Sequence, residues 1–118
     1  MAAPNLISTT SIIGKTKAEW ILGTLSEVLA NSANSSQVLR VNVLYVTNMG
    51  ATDQTVTVDF YRGGVGYRLA NALSVPVGST AVPIAKDTSI YLEEGDSLRL
   101  GASQAGTLQY LLSYEVMS

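Results

Sequence analysis

The strongest order in the chain is an alternation of apolar and polar residues with period two. In residues 55–61, Val56, Val58 and Phe60 share one side, while Thr55, Thr57, Asp59 and Tyr61 share the other. That is the signature of a half-buried strand. Residues 38–47 are rich in β-branched side chains, with Leu39, Val41, Val43 and Tyr45 in one phase. The connection over 48–53 supplies Asn48, Gly50 and Asp53 for a turn, so these two strands are expected to form a hairpin. Further strands are expected over 67–73, 80–84, 90–93, 96–102 and 107–116, set apart by turns at 63–66, 94–96 and 103–106. Pro76 and Pro83 each remove a ladder donor, which places 80–84 at an edge or a bulge.

Residues 17–30 fit two patterns. Trp20, Ile21, Leu25, Val28 and Leu29 would share a helical face, yet Gly23 and Thr24 sit in the middle of the segment. Two short strands bent at Gly23 accommodate those residues better, and 31–36 reads as a polar loop. The short, regular spacing of strands is that of an all-β sandwich or barrel. The expected fold is an antiparallel β-sandwich forming a single domain over 1–118, with 1–14 as an extended N-terminal arm or edge strand.

Two strands carry apolar residues on both sides. Leu44 and Val46 lie out of phase with Val41 and Val43, and Leu111 lies out of phase with Leu108, Tyr110 and Leu112. A sheet that is apolar on both faces needs cover on both. With no clear helix to supply it, a neighbouring subunit is the simplest cover. Leu44, Val46 and Leu111 are therefore candidate interface residues, and Leu44→Asp is expected to weaken assembly while sparing the fold.

Composition sharpens this reading. The 118 residues have room for one domain. Only 14% are charged and 47% are apolar, against about 25% charged in ordinary soluble domains. The seven basic residues are scattered, the net charge is −2, and no basic run tracks a phosphate backbone, so nucleic acid is not an expected partner. Polar residues interrupt every apolar run, so no membrane-spanning helix is expected. Residues 1–14 place no basic residue ahead of an apolar block, so no signal peptide is expected either.

The chain contains no Cys and no His. That removes disulfides, zinc sites built from His and Cys, Ser-His-Asp triads and Cys-His pairs. Gly14-Lys15-Thr16 resembles the end of a phosphate loop, but that loop needs Gly where Thr9 stands. Glu93, Glu94 and Asp96 form the one tight acidic cluster. It could hold Ca²⁺ or act as paired carboxylates, yet a solvated turn around Gly95 accounts for it more simply. Among the aromatic residues, Tyr61 and Tyr91 face outward by strand phase and are candidates for an interface or for sugar stacking. Tyr45, Tyr110 and Tyr114 fall in phase with core residues. No cofactor is expected, and no enzymatic activity.

Several strings carry a resemblance that runs nearly end to end: Met1-Ala2-Ala3-Pro4-Asn5, Ile13-Gly14-Lys15-Thr16, Ser74-Val75-Pro76, residues 89–97 (Ser89 to Ser97) and Ser113-Tyr114-Glu115. The chain resembles small all-β virion proteins of tailed bacteriophages, particularly those infecting cyanobacteria. The resemblance implies a jelly-roll-like sandwich, assembled in the host cytoplasm and located on the virion. The implied role is a capsid decoration or cement protein, a homo-oligomer with the trimer favoured, contacting the major capsid protein or other virion proteins. A tail, baseplate or fibre component is the alternative, and a carbohydrate-binding adhesion module is a further one. A hydrolase using Glu93, Glu94 and Asp96 is the least favoured.

Overall fold

A computed structural model describes residues 11–118, and its strands form two antiparallel sheets. The first sheet runs in the order β1 (Ile12–Trp20), β9 (Leu108–Met117), β3 (Val38–Asn48), β6 (Thr80–Ile84), and β7 (Ile90–Leu92) pairs with the other end of β3. The second runs β2 (Ser26–Ala30), β8 (Ser97–Ala102), β4 (Gln54–Arg62), β5 (Val65–Val75). A 3₁₀ turn at Lys86–Thr88 separates β6 from β7. With β6 and β7 counted as one interrupted strand, the sheets hold four strands each, and the chain crosses repeatedly between them. This order is that of a jelly roll. The expected all-β sandwich is present, and most strand positions match the alternation closely; residues 1–10 of the expected arm lie outside the described residues.

The turns behave differently from expectation. Among the described residues only β4 and β5 form a tight hairpin, with Arg62 paired to Val65 and both linking glycines at positive φ (Gly63 61°, Gly64 79°). That is the backbone a two-residue turn of the primed type requires. The expected hairpin between β3 and β4 is not formed. β3 already pairs with β9 along one edge and with β6 and β7 along the other, so its ladder has no room for β4. The 48–53 connection instead crosses to the second sheet, as does the one around Gly95, and the one around Gly106 crosses back to the first. Turn residues announce a reversal of direction, not the sheet that receives the next strand.

A bulge in β3 decides which side chains meet the core. Val41 pairs with Tyr114 and Val43 with Ser113, so two steps along β3 match a single step along β9, and Asn42 is the extra residue. A bulge of this kind shifts the alternation by one residue. Leu39 and Val41 point inward before it, and Leu44 and Val46 point inward after it. Leu44 and Val46 are therefore core residues at 0% exposure, not interface residues, while Tyr45 stands outside at 42%. Across the sandwich these side chains join Val56 and Val58 of β4 and Leu98 and Leu100 of β8 in one continuous core.

The outermost strand of the first sheet, β1, is exposed along nearly all its length. Lys15, Lys17 and Glu19 pair with Tyr114, Leu112 and Tyr110, which places them on its inward side. Charges at that position keep an edge strand from recruiting stray chains. The Lys17 ammonium donates to the Val28 carbonyl at 2.7 Å, tying β1 to the facing sheet. Gly14-Lys15-Thr16 lies within this strand and forms no phosphate loop.

Candidate functional site

The outer faces of the two sheets differ sharply in chemistry. On the first sheet, Ala18 of β1, Leu111 of β9 and Tyr45 of β3 fall in one register row, and Val82 of β6 continues it. Leu111 and Val82 are 41% and 46% exposed. The adjoining row holds Trp20, Gln109, Thr47 and Thr80, with Trp20 half exposed and the two threonine hydroxyls 2.9 Å apart. Between these rows lies a groove of about 340 Å³ lined by Trp20, Gln109, Thr47 and Leu111. Farther along, Tyr91 of β7 is exposed opposite Arg40, whose guanidinium lies 3.7 Å from the Glu115 carboxylate. These rows run across the strands, joining residues far apart in sequence.

On the second sheet the corresponding row is charged. Glu27 of β2, Arg99 of β8, Asp59 of β4 and Arg68 of β5 stand side by side with alternating sign. Arg68 Nε donates to the buried Asp59 carboxylate, and its Nη1 donates to Asn71 Oδ1 at 2.6 Å. The Arg99 guanidinium lies 3.7 Å above the centre of the Tyr61 ring. Charged rows of this kind are at home in water.

The acidic turn is already occupied by internal partners. Arg62 reaches Asp96 through Nε (2.8 Å) and Nη2 (2.5 Å), and Nη2 also donates to Glu93 at 2.8 Å. The hydrogen bond to Asp96 pushes the Arg62 pKa above its usual value, with the charges of Asp96 and Glu93 adding to it. Asp96 Oδ2 also accepts the Glu93 amide at 2.8 Å, and Glu94 accepts the Ser36 amide at 2.9 Å. Gly95 sits at φ 90°, which lets the corner close. These carboxylates hold a corner together. Among the described residues, no group of three or more His, Cys, Asp or Glu side chains is arranged to hold a metal ion.

Of the residues singled out from the sequence, Leu111 and Tyr91 are exposed on the first sheet, and Tyr61 is half-buried beneath Arg99 on the second. Leu44 and Val46 are in the core. Alternation missed Tyr45 and Val82 as outward residues, because the bulge reverses the phase of one and the irregular pairing of β6 obscures that of the other.

The fold defines the chain as a jelly-roll β-sandwich. No protein-family model matches it, and no curated protein does. Among solved structures, it is similar to a chain from Bacillus endospore appendages, which form a novel family of disulfide-linked pili. The two share 18% sequence identity with a TM-score of 0.54, over 99% of this chain and 96% of that one. At this identity the likeness concerns the fold alone.

Proposed function

We propose that this protein is a structural subunit of a larger assembly, docked through the outer face of its first sheet. The observation that carries this reading is the row Ala18, Leu111, Tyr45 and Val82, flanked by Trp20, on a face that none of the described residues covers. The opposite face, with its charged ladder, supplies the contrast: one side is suited to protein and the other to water. A few hundred Å² of apolar contact, at roughly 25 cal/mol per Å², contributes several kcal/mol before association costs. Repeated over a symmetric shell, such contacts reinforce one another. The chain has no cysteine, so disulfides between subunits cannot supply the cohesion. The likeness to an appendage subunit fold and the resemblance to phage virion proteins both favour a structural role, without catalysis.

The particular assembly we propose is a phage virion, with the protein serving as a capsid decoration subunit, as a trimer, built in the host cytoplasm. The alternative is a tail or baseplate part of the same particle. Mass analysis of purified virions tests both, since decoration predicts hundreds of copies and a tail part far fewer. Incorporation of Leu111→Asp protein into particles at the wild-type level would remove the docking face from consideration.

A further inference from the structure

Arg99 occupies the centre of the second sheet's outer face, and two of the carboxylates near it are committed elsewhere. Asp59, its partner on β4, is held by Arg68, and Asp96 is held by Arg62. Glu27, its partner on β2, is exposed and makes no hydrogen bond among the described residues. The Arg99 guanidinium is fixed flat on Tyr61, and its Nε is buried with no acceptor. A buried donor left unmatched is uncommon and asks for a reason.

Beside it opens a cleft of about 370 Å³, within the range of small-molecule sites, bounded by Glu27, Asn31, Ser32, Tyr61, Ser97 and Arg99. Asn31 is spent on the Gln37 and Leu92 carbonyls (2.8 and 2.9 Å) and on the Ser35 hydroxyl. The groups left free are the terminal Arg99 nitrogens, the Glu27 carboxylate and the Ser32 and Ser97 hydroxyls. Donors and acceptors of opposite charge thus stand side by side.

We infer that this cleft binds a neutral sugar, with adjacent hydroxyls bridging Arg99 and Glu27. A hydroxyl both donates and accepts, so a vicinal pair satisfies both side chains at once. A carboxylate ligand would meet Glu27, and an ammonium ligand would meet Arg99. Tyr61 is a positioning residue: Arg99 covers one face of its ring and is aimed by it. The cleft lies on the sheet opposite the apolar row, so it stays open when that row is covered, and it does not depend on the docking role.

The test is a ¹H–¹⁵N titration of the full chain with glucose, galactose, mannose and N-acetylglucosamine, each to high millimolar concentration. At least one should saturably shift the Arg99 Nε–H signal together with the Glu27, Ser32 and Ser97 amides. Glu27→Gln and Arg99→Lys should each weaken that binding by about tenfold or more, the latter because an ammonium cannot reproduce the fork. Tyr61→Phe keeps the ring and should bind like wild type, as should Leu111→Asp. The exposed Glu27 position makes the Gln variant safe to fold. Absence of shifts with all four sugars overturns the proposal. So does acetate binding at Arg99 that tightens in Glu27→Gln, because that would make the cleft a carboxylate site.

Discussion

Tyr45 stands directly opposite Leu111 across the β3–β9 ladder, and both side chains face solvent. One step along the same register, Leu44 faces Leu112, and both are wholly buried. Core and surface are therefore separated by a single residue on each strand. A cross-strand pair contributes about 0.2–1 kcal/mol to a sheet, too little to explain two large apolar groups kept in water. Leu111→Asp and Tyr45→Ser should each change unfolding free energy by less than about 1 kcal/mol while abolishing assembly. Leu44→Ala should cost about 2–5 kcal/mol, and Leu44→Asp should unfold the domain. Urea unfolding beside a particle-incorporation assay separates the two classes. Equal stability losses for Leu44→Ala and Leu111→Asp would mean the phase assignment is wrong.

Asn48 closes the crossing from the first sheet to the second. Its amide donates to the Thr52 and Val75 carbonyls at 2.8 Å each, and its Oδ1 accepts the Gly50 amide at 2.8 Å. The side chain is almost fully buried, so no water stands ready to replace it. Asn48→Ala should destabilise by about 2–3 kcal/mol, since buried carbonyls lose their donors. Asn48→Asp should be at least as costly, because it keeps the acceptor, removes both donors and buries a charge. Thermal unfolding of the two variants checks the order, and an Asp variant more stable than the Ala variant would contradict it.

The strands themselves were legible because alternation reports burial wherever a strand is regular. Residues 80–84 appear as β6 without shift, and the segment bent at Gly23 resolves into β1 and β2. Asn42 was not legible as a bulge, since nothing in Val41-Asn42-Val43 distinguishes an extra residue from a paired one. That one residue moved Leu44 and Val46 into the core and Tyr45 out of it. The outward side of Leu111 was legible because β9 pairs without interruption against β1. The Arg99 cleft could not be read at all: Glu27, Tyr61 and Arg99 come from three strands, and only the sheet order makes them neighbours.

Ala72 sits within β5 at φ 51°, in the left-handed region, where a Cβ is crowded by the following carbonyl. The cost to a non-glycine residue is about 1–2 kcal/mol, part of which its backbone bond to the Thr57 hydroxyl at 3.3 Å offsets. Glycine removes the strain but gives up roughly 0.4–1 kcal/mol to the unfolded chain. Ala72→Gly should therefore leave a small net gain of roughly 0.5 kcal/mol. Ala72→Val should lose more than about 1 kcal/mol, because branching makes this region harder still to reach. The opposite signs are the test, and a stabilising valine would show that the left-handed turn is absent in solution.

Tyr110 gives the domain a weakness at alkaline pH. Its hydroxyl is buried and donates to the Glu19 carboxylate at 3.2 Å. Burial first, and the negative charge of Glu19 second, push its pKa above the ordinary phenol value. In the unfolded chain the phenol loses its proton near pH 10, about the usual tyrosine value, while the folded state still holds it. The folded form then binds more protons than the unfolded one, so stability is intact below about pH 10 and falls above it. The slope approaches about 1.4 kcal/mol per pH unit while the two states differ by one proton. Tyr110→Phe should cost about 1 kcal/mol at neutral pH through the lost hydrogen bond, and should flatten the alkaline decline relative to wild type. Glu19→Gln should shift the decline to higher stability at the same pH in smaller measure, because burial is the larger cause and survives the change. Urea unfolding from about pH 8 to about pH 11 reads all three curves. Parallel wild-type and Tyr110→Phe curves over that range would assign the alkaline loss to other groups.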